Sequence, residues 1–206
     1  MTKIIALIVG LPLMVVLAAC AASNQQDIDA AVEATVAQQA DDCGFWAEPE
    51  GTIVAENDDT IDGVTIGNAL DFDVTVNIYN PESDFFSFGF DFRAAIGTSR
   101  EYLVVKVKDG VTYLDQITRL ESPDKTIFGL RKEVLGYYLG VGEQNTIRLI
   151  ADGDEGYVYI NGMQVANLDL SHTPKRTTYI FLINGLWTGT GGIDLHYDSL
   201  NLTCLN

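Results

Sequence analysis

Apolar and polar side chains alternate along this chain from Gly44 onward. Phe72, Val74, Val76 and Ile78 interleave with Asp71, Asp73, Thr75 and Asn77. Phe86, Phe88, Phe90 and Phe92 interleave with Ser87, Gly89 and Asp91, and the run ends at Arg93. Leu103, Val105 and Val107 alternate with Val104, Lys106 and Lys108. A period of two puts every second side chain on the same side of an extended strand, so each run predicts a strand covering a core with one face. Turn signals separate the runs at Asn80-Pro81, Asp109-Gly110, Gly140 to Gly142, Asp152-Gly153, Asn161-Gly162 and Gly191-Gly192. Asn161-Gly162 predicts a hairpin between Tyr157–Ile160 and Met163–Leu168, because a two-residue primed turn needs positive φ at both positions. About ten or more short strands at hairpin spacing predict a sandwich or barrel rather than alternating βαβ units. The stretch Leu130–Tyr138, with mixed charges and paired tyrosines, fits either a strand or a loop with a turn of helix.

The pattern before Gly44 is different. Met1–Lys3 is short and basic, and Ile4–Val16 is an apolar run broken by Gly10 and Pro12. That run is shorter than the ~20 residues of a membrane span and ends in small residues, as a secretory signal does. The following Leu17-Ala18-Ala19-Cys20 resembles the lipobox of bacterial lipoproteins. The resemblance implies a diacylglyceryl group on the Cys20 thiol, cleavage before Cys20 and acylation (palmitate) of the new amine. More than one acyl chain makes such an anchor durable. Residues 21–42 are rich in Ala, Gln and Asp, and Ile28, Val32 and Val36 form only a thin apolar stripe. The expected organisation is a signal peptide over 1–19, a lipidated and partly helical tether over 20–42, and a β-sandwich domain over 43–206. The domain would then be extracytoplasmic, lipid-anchored to the cell membrane or outer membrane. Ala21 and Ala22 stand where an inner-membrane retention aspartate would, which favours the outer membrane or the surface in a host that has one.

Cysteine usage fits an oxidising compartment. With Cys20 assigned to lipid, Cys43 and Cys204 remain, near the two ends of the domain. Their simplest use is a disulfide joining those ends, with two free thiols as the alternative. Zinc is a poor fit, since only His172 and His196 could assist.

Charge excludes one class of partner. The net charge is −17, and loss of residues 1–19 removes Lys3 and no acid. Such a surface repels phosphate backbones, which argues against nucleic acid. Acidic loops invite calcium instead, and no other cofactor is implied. Asp58-x-Thr60-x-Asp62-Gly63 resembles the start of a hand-type calcium loop, but Ala69 stands where the bidentate glutamate would. Asp152 and Asp154, with Glu155, form a second acidic turn.

Three segments resemble the concanavalin A-like lectin and glucanase sandwiches, laminin-G-like modules among them. Ser87–Lys108, SFGFDFRAAIGTSREYLVVKVK, resembles their aromatic strand ending in arginine, followed by a strand that opens with tyrosine. Asn145–Ala166 is similar to their stretch of apolar alternation, acidic turn and "VYING" hairpin, and Ile193–Leu202 to their closing strand. The resemblance implies an all-β, two-sheet antiparallel jelly-roll in which the first and last strands lie side by side. Retaining glucanases of this fold carry Glu-x-Asp-x-Glu on one strand, with carboxylates ~5 Å apart. That triplet is absent here, and Asp71 and Asp73 read as solvated residues on an outer strand face. Neither Gly-x-Ser-x-Gly nor the paired histidines of a helical zinc site occurs. His172 reads as a turn residue and His196 as facing solvent.

Sugar binding needs exposed aromatic faces beside amide or carboxylate groups. Trp187, in the glycine-rich loop Asn184–Gly192, is the first candidate, with Tyr113, Tyr137 and Tyr138 behind it. The leading expectation is a membrane-anchored, non-catalytic recognition module for a glycan or an envelope protein. The alternatives are a structural envelope component without a soluble ligand and, on fold analogy alone, a glycoside hydrolase-like enzyme.

Overall fold

A computed structural model describes residues 44–54, 62–95, 99–121, 124–173, 178–185 and 193–205. These form thirteen strands in two antiparallel sheets, with no helix among them. One sheet has seven strands: β1 (Gly44–Phe45), β3 (Asp62–Ala69), β12 (Thr178–Asn184), β5 (Phe85–Ala95), β6 (Ser99–Lys108), β7 (Val111–Glu121) and β8 (Asp124–Glu133), in that order. The other has six: β11 (Met163–Asp169), β10 (Glu155–Ile160), β9 (Gln144–Asp152), β4 (Phe72–Tyr79), β13 (Leu195–Cys204) and β2 (Gly51–Ile53). The expected all-β, two-sheet jelly-roll sandwich is what the chain adopts.

The alternating runs meet between the sheets. Phe72, Val74, Val76 and Ile78 from β4 are fully buried against Phe86, Phe88, Phe90 and Phe92 from β5. Phe72 and Phe92 touch edge to face, with ring centroids 5.7 Å apart. Fully burying each such side chain contributes ~1.5–3 kcal/mol, so these two strands supply a large part of the core.

Turn chemistry fixes the registers. Asn161 and Gly162 both have positive φ, 51° and 79°, and close the expected hairpin between β10 and β11. Asp109 and Gly110 do the same between β6 and β7. The ambiguous stretch at Leu130–Tyr138 resolves into the end of β8 followed by an irregular segment without helix. There Tyr137 turns inward, because its ring packs beside Phe88 and its hydroxyl donates to Asn80 Oδ1 at 2.7 Å.

The first and last strands depart from the expected neighbourhood. β1 pairs with β3 in the seven-stranded sheet, while β13 lies between β4 and β2 in the other. The two ends nevertheless converge across the β3–β4 hairpin. Gly44 stands opposite Asn68, and Cys204 opposite Phe72. A methyl group built on Gly67 would lie 1.9 Å from the Gly44 carbonyl oxygen and 2.8 Å from Leu202 Cδ2. Cys204 is disulfide-bonded.

Candidate functional site

A strand buried on one face presents its alternate residues on the other, so the core residues of β5, β6, β7 and β12 fix what the seven-stranded sheet shows outward. Register places Phe181 of β12, Asp91 of β5, Tyr102 of β6 and Ile117 of β7 in one row across it. The next row holds Ile183, Gly89, Val104 and Asp115, continued by Arg131 of β8. Tyr102, Val104, Ile117 and Ile183 form a second buried apolar cluster, with Phe181 packed against it. Between Ile183 and Val104 the position of a Gly89 Cβ is taken by the β6 backbone, 1.8 Å from the Leu103 carbonyl oxygen.

Two carboxylates are set into this apolar surface. Asp91 receives Arg100 Nη1 at 3.1 Å on Oδ2, and Asp115 receives Lys106 Nζ at 2.9 Å on Oδ2. Their other oxygens, Asp91 Oδ1 and Asp115 Oδ1, are buried without a hydrogen-bond partner. Arg131 Nε approaches Asp115 Oδ1 only to 3.7 Å. Burial pushes the Asp91 carboxyl up to about 6, against the opposing pull of Arg100. A buried acceptor left unmatched costs on the order of 1–3 kcal/mol, so each oxygen gains from any donor brought to it.

The outward face of the six-stranded sheet is the instructive contrast. Asp198 accepts from Asn77 Nδ2 at 2.7 Å and from the Tyr79 hydroxyl. Asn77 Oδ1 accepts from Thr146 at 2.7 Å, and Asp73 takes both Nε and Nη2 of Arg148. Among the described residues, every buried side-chain polar atom without a partner lies on a strand of the seven-stranded sheet. Of these atoms only the Asp91 and Asp115 oxygens belong to the outward face; Arg93 Nε, Ser99 Oγ, Thr112 Oγ1 and Thr178 Oγ1 lie on the core side.

Aromatic surface adjoins Asp91. Trp46 and Tyr179 are about half exposed with ring centroids 5.9 Å apart, and Tyr179 stands 6.1 Å from Phe181, the cross-strand neighbour of Asp91. Apolar ring faces beside carboxylate and guanidinium groups suit a ligand with both C–H faces and hydroxyls. Two-carboxylate hydrolysis is a different demand. Asp91 and Asp115 lie on strands separated by β6, about 10 Å in backbone spacing. The outward positions next to Asp91 on β12 and β6 hold Phe181 and Tyr102, and neither is a carboxylate.

The sequence-nominated residues are scattered. Tyr113 is on this outward face, opposite Lys106 and Glu133. Tyr137 belongs to the core, where its buried ring cannot stack on a ligand. Tyr138 is exposed on the segment after β8. Trp187 and Asp58 lie outside the described residues, as do Cys20 and Cys43. Asp62 opens β3, whereas Asp152 and Asp154 flank the β9–β10 turn, so they are not one cluster. Among the described residues no three His, Cys, Asp or Glu side chains are grouped to hold a metal ion. Asp71 is not the solvated strand residue expected: it precedes β4 and accepts from Arg93 and the Gly153 amide. His196 is exposed, its Nδ1 2.7 Å from Thr52 Oγ1, and His172 is also exposed. The sequence reading missed Asp91, Arg100, Tyr102 and Asp115. Their signal was present, since each alternates with a core residue and so had to face outward.

The architecture is that of a two-sheet antiparallel jelly-roll sandwich. No family model matches the chain, and no curated protein matches it in sequence. Solved structures share its fold. The carbohydrate-binding module CBM66 from Bacillus subtilis is 11% identical with a TM-score of 0.52, over 77% of this chain and 99% of that one. A GH16 protein of a Bacteroides ovatus mixed-linkage glucan locus, solved with a product, is 10% identical with a TM-score of 0.51, over 78% and 84%. A functionally unknown protein from Saccharomyces cerevisiae is 14% identical with a TM-score of 0.53, over 79% and 92%. At these identities the likeness is one of fold.

Proposed function

We propose that this protein is a membrane-tethered glycan-recognition module whose binding surface is the outward face of the seven-stranded sheet around Asp91. The observation that carries the reading is the Trp46–Tyr179–Phe181 aromatic run beside Asp91 and its ion-pair partner Arg100. Pyranose C–H faces would lie on the rings, and the partly exposed Arg100 guanidinium would donate to sugar hydroxyls. The carbohydrate-binding module and the glucan-processing protein that share the fold support the reading without assigning the site. The test is calorimetric titration of the chain and its Asp91→Ala variant with a panel of oligosaccharides, with and without calcium. Saturable binding lost in the variant is expected; an unchanged variant would remove Asp91 from the site.

The tether is part of the same proposal. Cys20 carries the lipid, so Cys20→Ala moves the protein from the membrane fraction to the soluble one. Cys43 is the disulfide partner of Cys204, a reading supported by the approach of Gly44 to Gly67 and of Gly67 to Leu202.

A further inference from the structure

Like charges placed directly opposite one another on neighbouring strands are unfavourable unless something neutralises them. Arg100 of β6 and Arg119 of β7 are such a pair, and they face outward beside the proposed site. As direct cross-strand partners they leave adjacent strands on the same face. Arg100 is engaged through Nη1 with Asp91. Arg119 is exposed and, among the described residues, is in no ion pair.

The setting makes this cation unusual. The chain has 12 Lys and Arg residues against 29 Asp and Glu. Acids in such excess would readily supply Arg119 with a partner, and on the same face Asp115 draws both Lys106 and Arg131. A guanidinium presents five N–H donors in a planar fork that matches an oxyanion, and charge-assisted bonds of this kind are about twice as strong as neutral ones. Asp91, on the strand beyond Arg100, already holds one of that residue's nitrogens, and Arg119 has no such carboxylate. The ligand chemistry that suits the two guanidinium groups is a sugar that carries an oxyanion.

We infer that the glycan recognised here is acidic, with a sugar-borne carboxylate or sulfate seated on Arg119 and Arg100. The inference rests on the glycan-binding reading and narrows it. The full chain is titrated with oligogalacturonate, its methyl ester and a sulfated galactan oligosaccharide, and the two anionic probes separate carboxylate from sulfate. At least one anionic probe binds, about tenfold tighter than the uncharged ester, the factor expected for one charge-assisted contact. Arg119→Gln removes that advantage. Arg148→Gln, which deletes an equal charge from the six-stranded sheet, keeps it. An ester bound as tightly as the acid, or equal losses in the two variants, overturns the acidic specificity and leaves the glycan reading standing. Binding to none of the probes overturns the acidic specificity, and the broader oligosaccharide panel then decides the glycan reading separately.

Discussion

Arg93 and Asp71 join the two sheets through the interior, Nη2 to Oδ1 at 3.4 Å, with the arginine side chain fully buried and the aspartate a quarter exposed. Alternation along β5 would send Arg93 outward. Instead its φ of 50° and the register shift beside it turn the side chain inward at the end of the aromatic run. There its guanidinium donates to the carbonyls of Leu170 at 3.2 Å and Gly153 at 2.5 Å. It thus ties β5 to the segments flanking β4, β9 and β11.

Breaking a buried ion pair from one side leaves its partners uncompensated, at a cost of roughly 3–5 kcal/mol. Arg93→Met is expected to lose stability on that scale in urea at pH 8. Asp71→Asn, altering the more exposed partner, loses less. Equal midpoints for Arg93→Met and the unaltered chain would show that the bridge contributes nothing.

Glu101 gives stability an unusual pH dependence. Its carboxylate is buried, accepts from Thr118 Oγ1 at 2.9 Å on both oxygens, and is pushed by burial from 4.5 up to about 7 despite the nearby Arg93. The folded chain therefore holds this proton more tightly than the unfolded one. Stability from this group is complete below pH ~4.5 and is lost as pH rises through about 7, on the order of 3 kcal/mol. Asp91, raised to about 6, acts in the same direction. Denaturation midpoints measured from pH 4.5 to 8 should fall with pH, and Glu101→Gln should flatten that slope. A glutamine variant with the same slope would place the titration elsewhere.

The Cys43–Cys204 bridge would close nearly the whole domain into one loop. The chain-entropy model gives such a loop about 5 kcal/mol of stabilisation, less any strain. Peptide mapping of the non-reduced protein should recover Cys43 linked to Cys204, and Cys204→Ser should unfold at markedly lower denaturant. Two alkylatable thiols in the native chain contradict the pairing.

Gly89 and Gly110 separate two reasons for glycine. Gly110 has φ of 76° in a turn with nothing near its missing Cβ, so alanine there costs only backbone strain, about 1 kcal/mol. At Gly89 a Cβ meets the Leu103 carbonyl oxygen at 1.8 Å, and β5 and β6 must part to admit it. Gly89→Ala should lower the thermal midpoint further than Gly110→Ala; the reverse order would show that the two strands yield easily.

Much of the fold was legible because it rests on a period of two and on turn chemistry. The phenylalanines of β5 and the Asn161-Gly162 turn declare themselves locally. The inward turn of Arg93 did not, since a bulge shifts the alternation by one residue and is set by tertiary contacts. The pairing of β1 with β3 was hidden for a related reason: a two-residue strand has no periodicity to read. The candidate site was half visible. Alternation put Asp91 and Val104 outward, but only cross-strand register brings Phe181, Asp91 and Tyr102 together from segments distant in sequence. Tyr137 misled because an aromatic pair in a polar stretch gives no sign of which ring turns to the core.

Chemical-shift mapping of the ¹⁵N-labelled chain during oligosaccharide titration tests the central claim most directly. Saturating shifts are predicted at the Trp46 indole, the Asp91 and Tyr102 amides and the Arg100 and Arg119 guanidinium groups. Shifts confined to the Asn77, Arg148 and Asp198 face of the six-stranded sheet would contradict it.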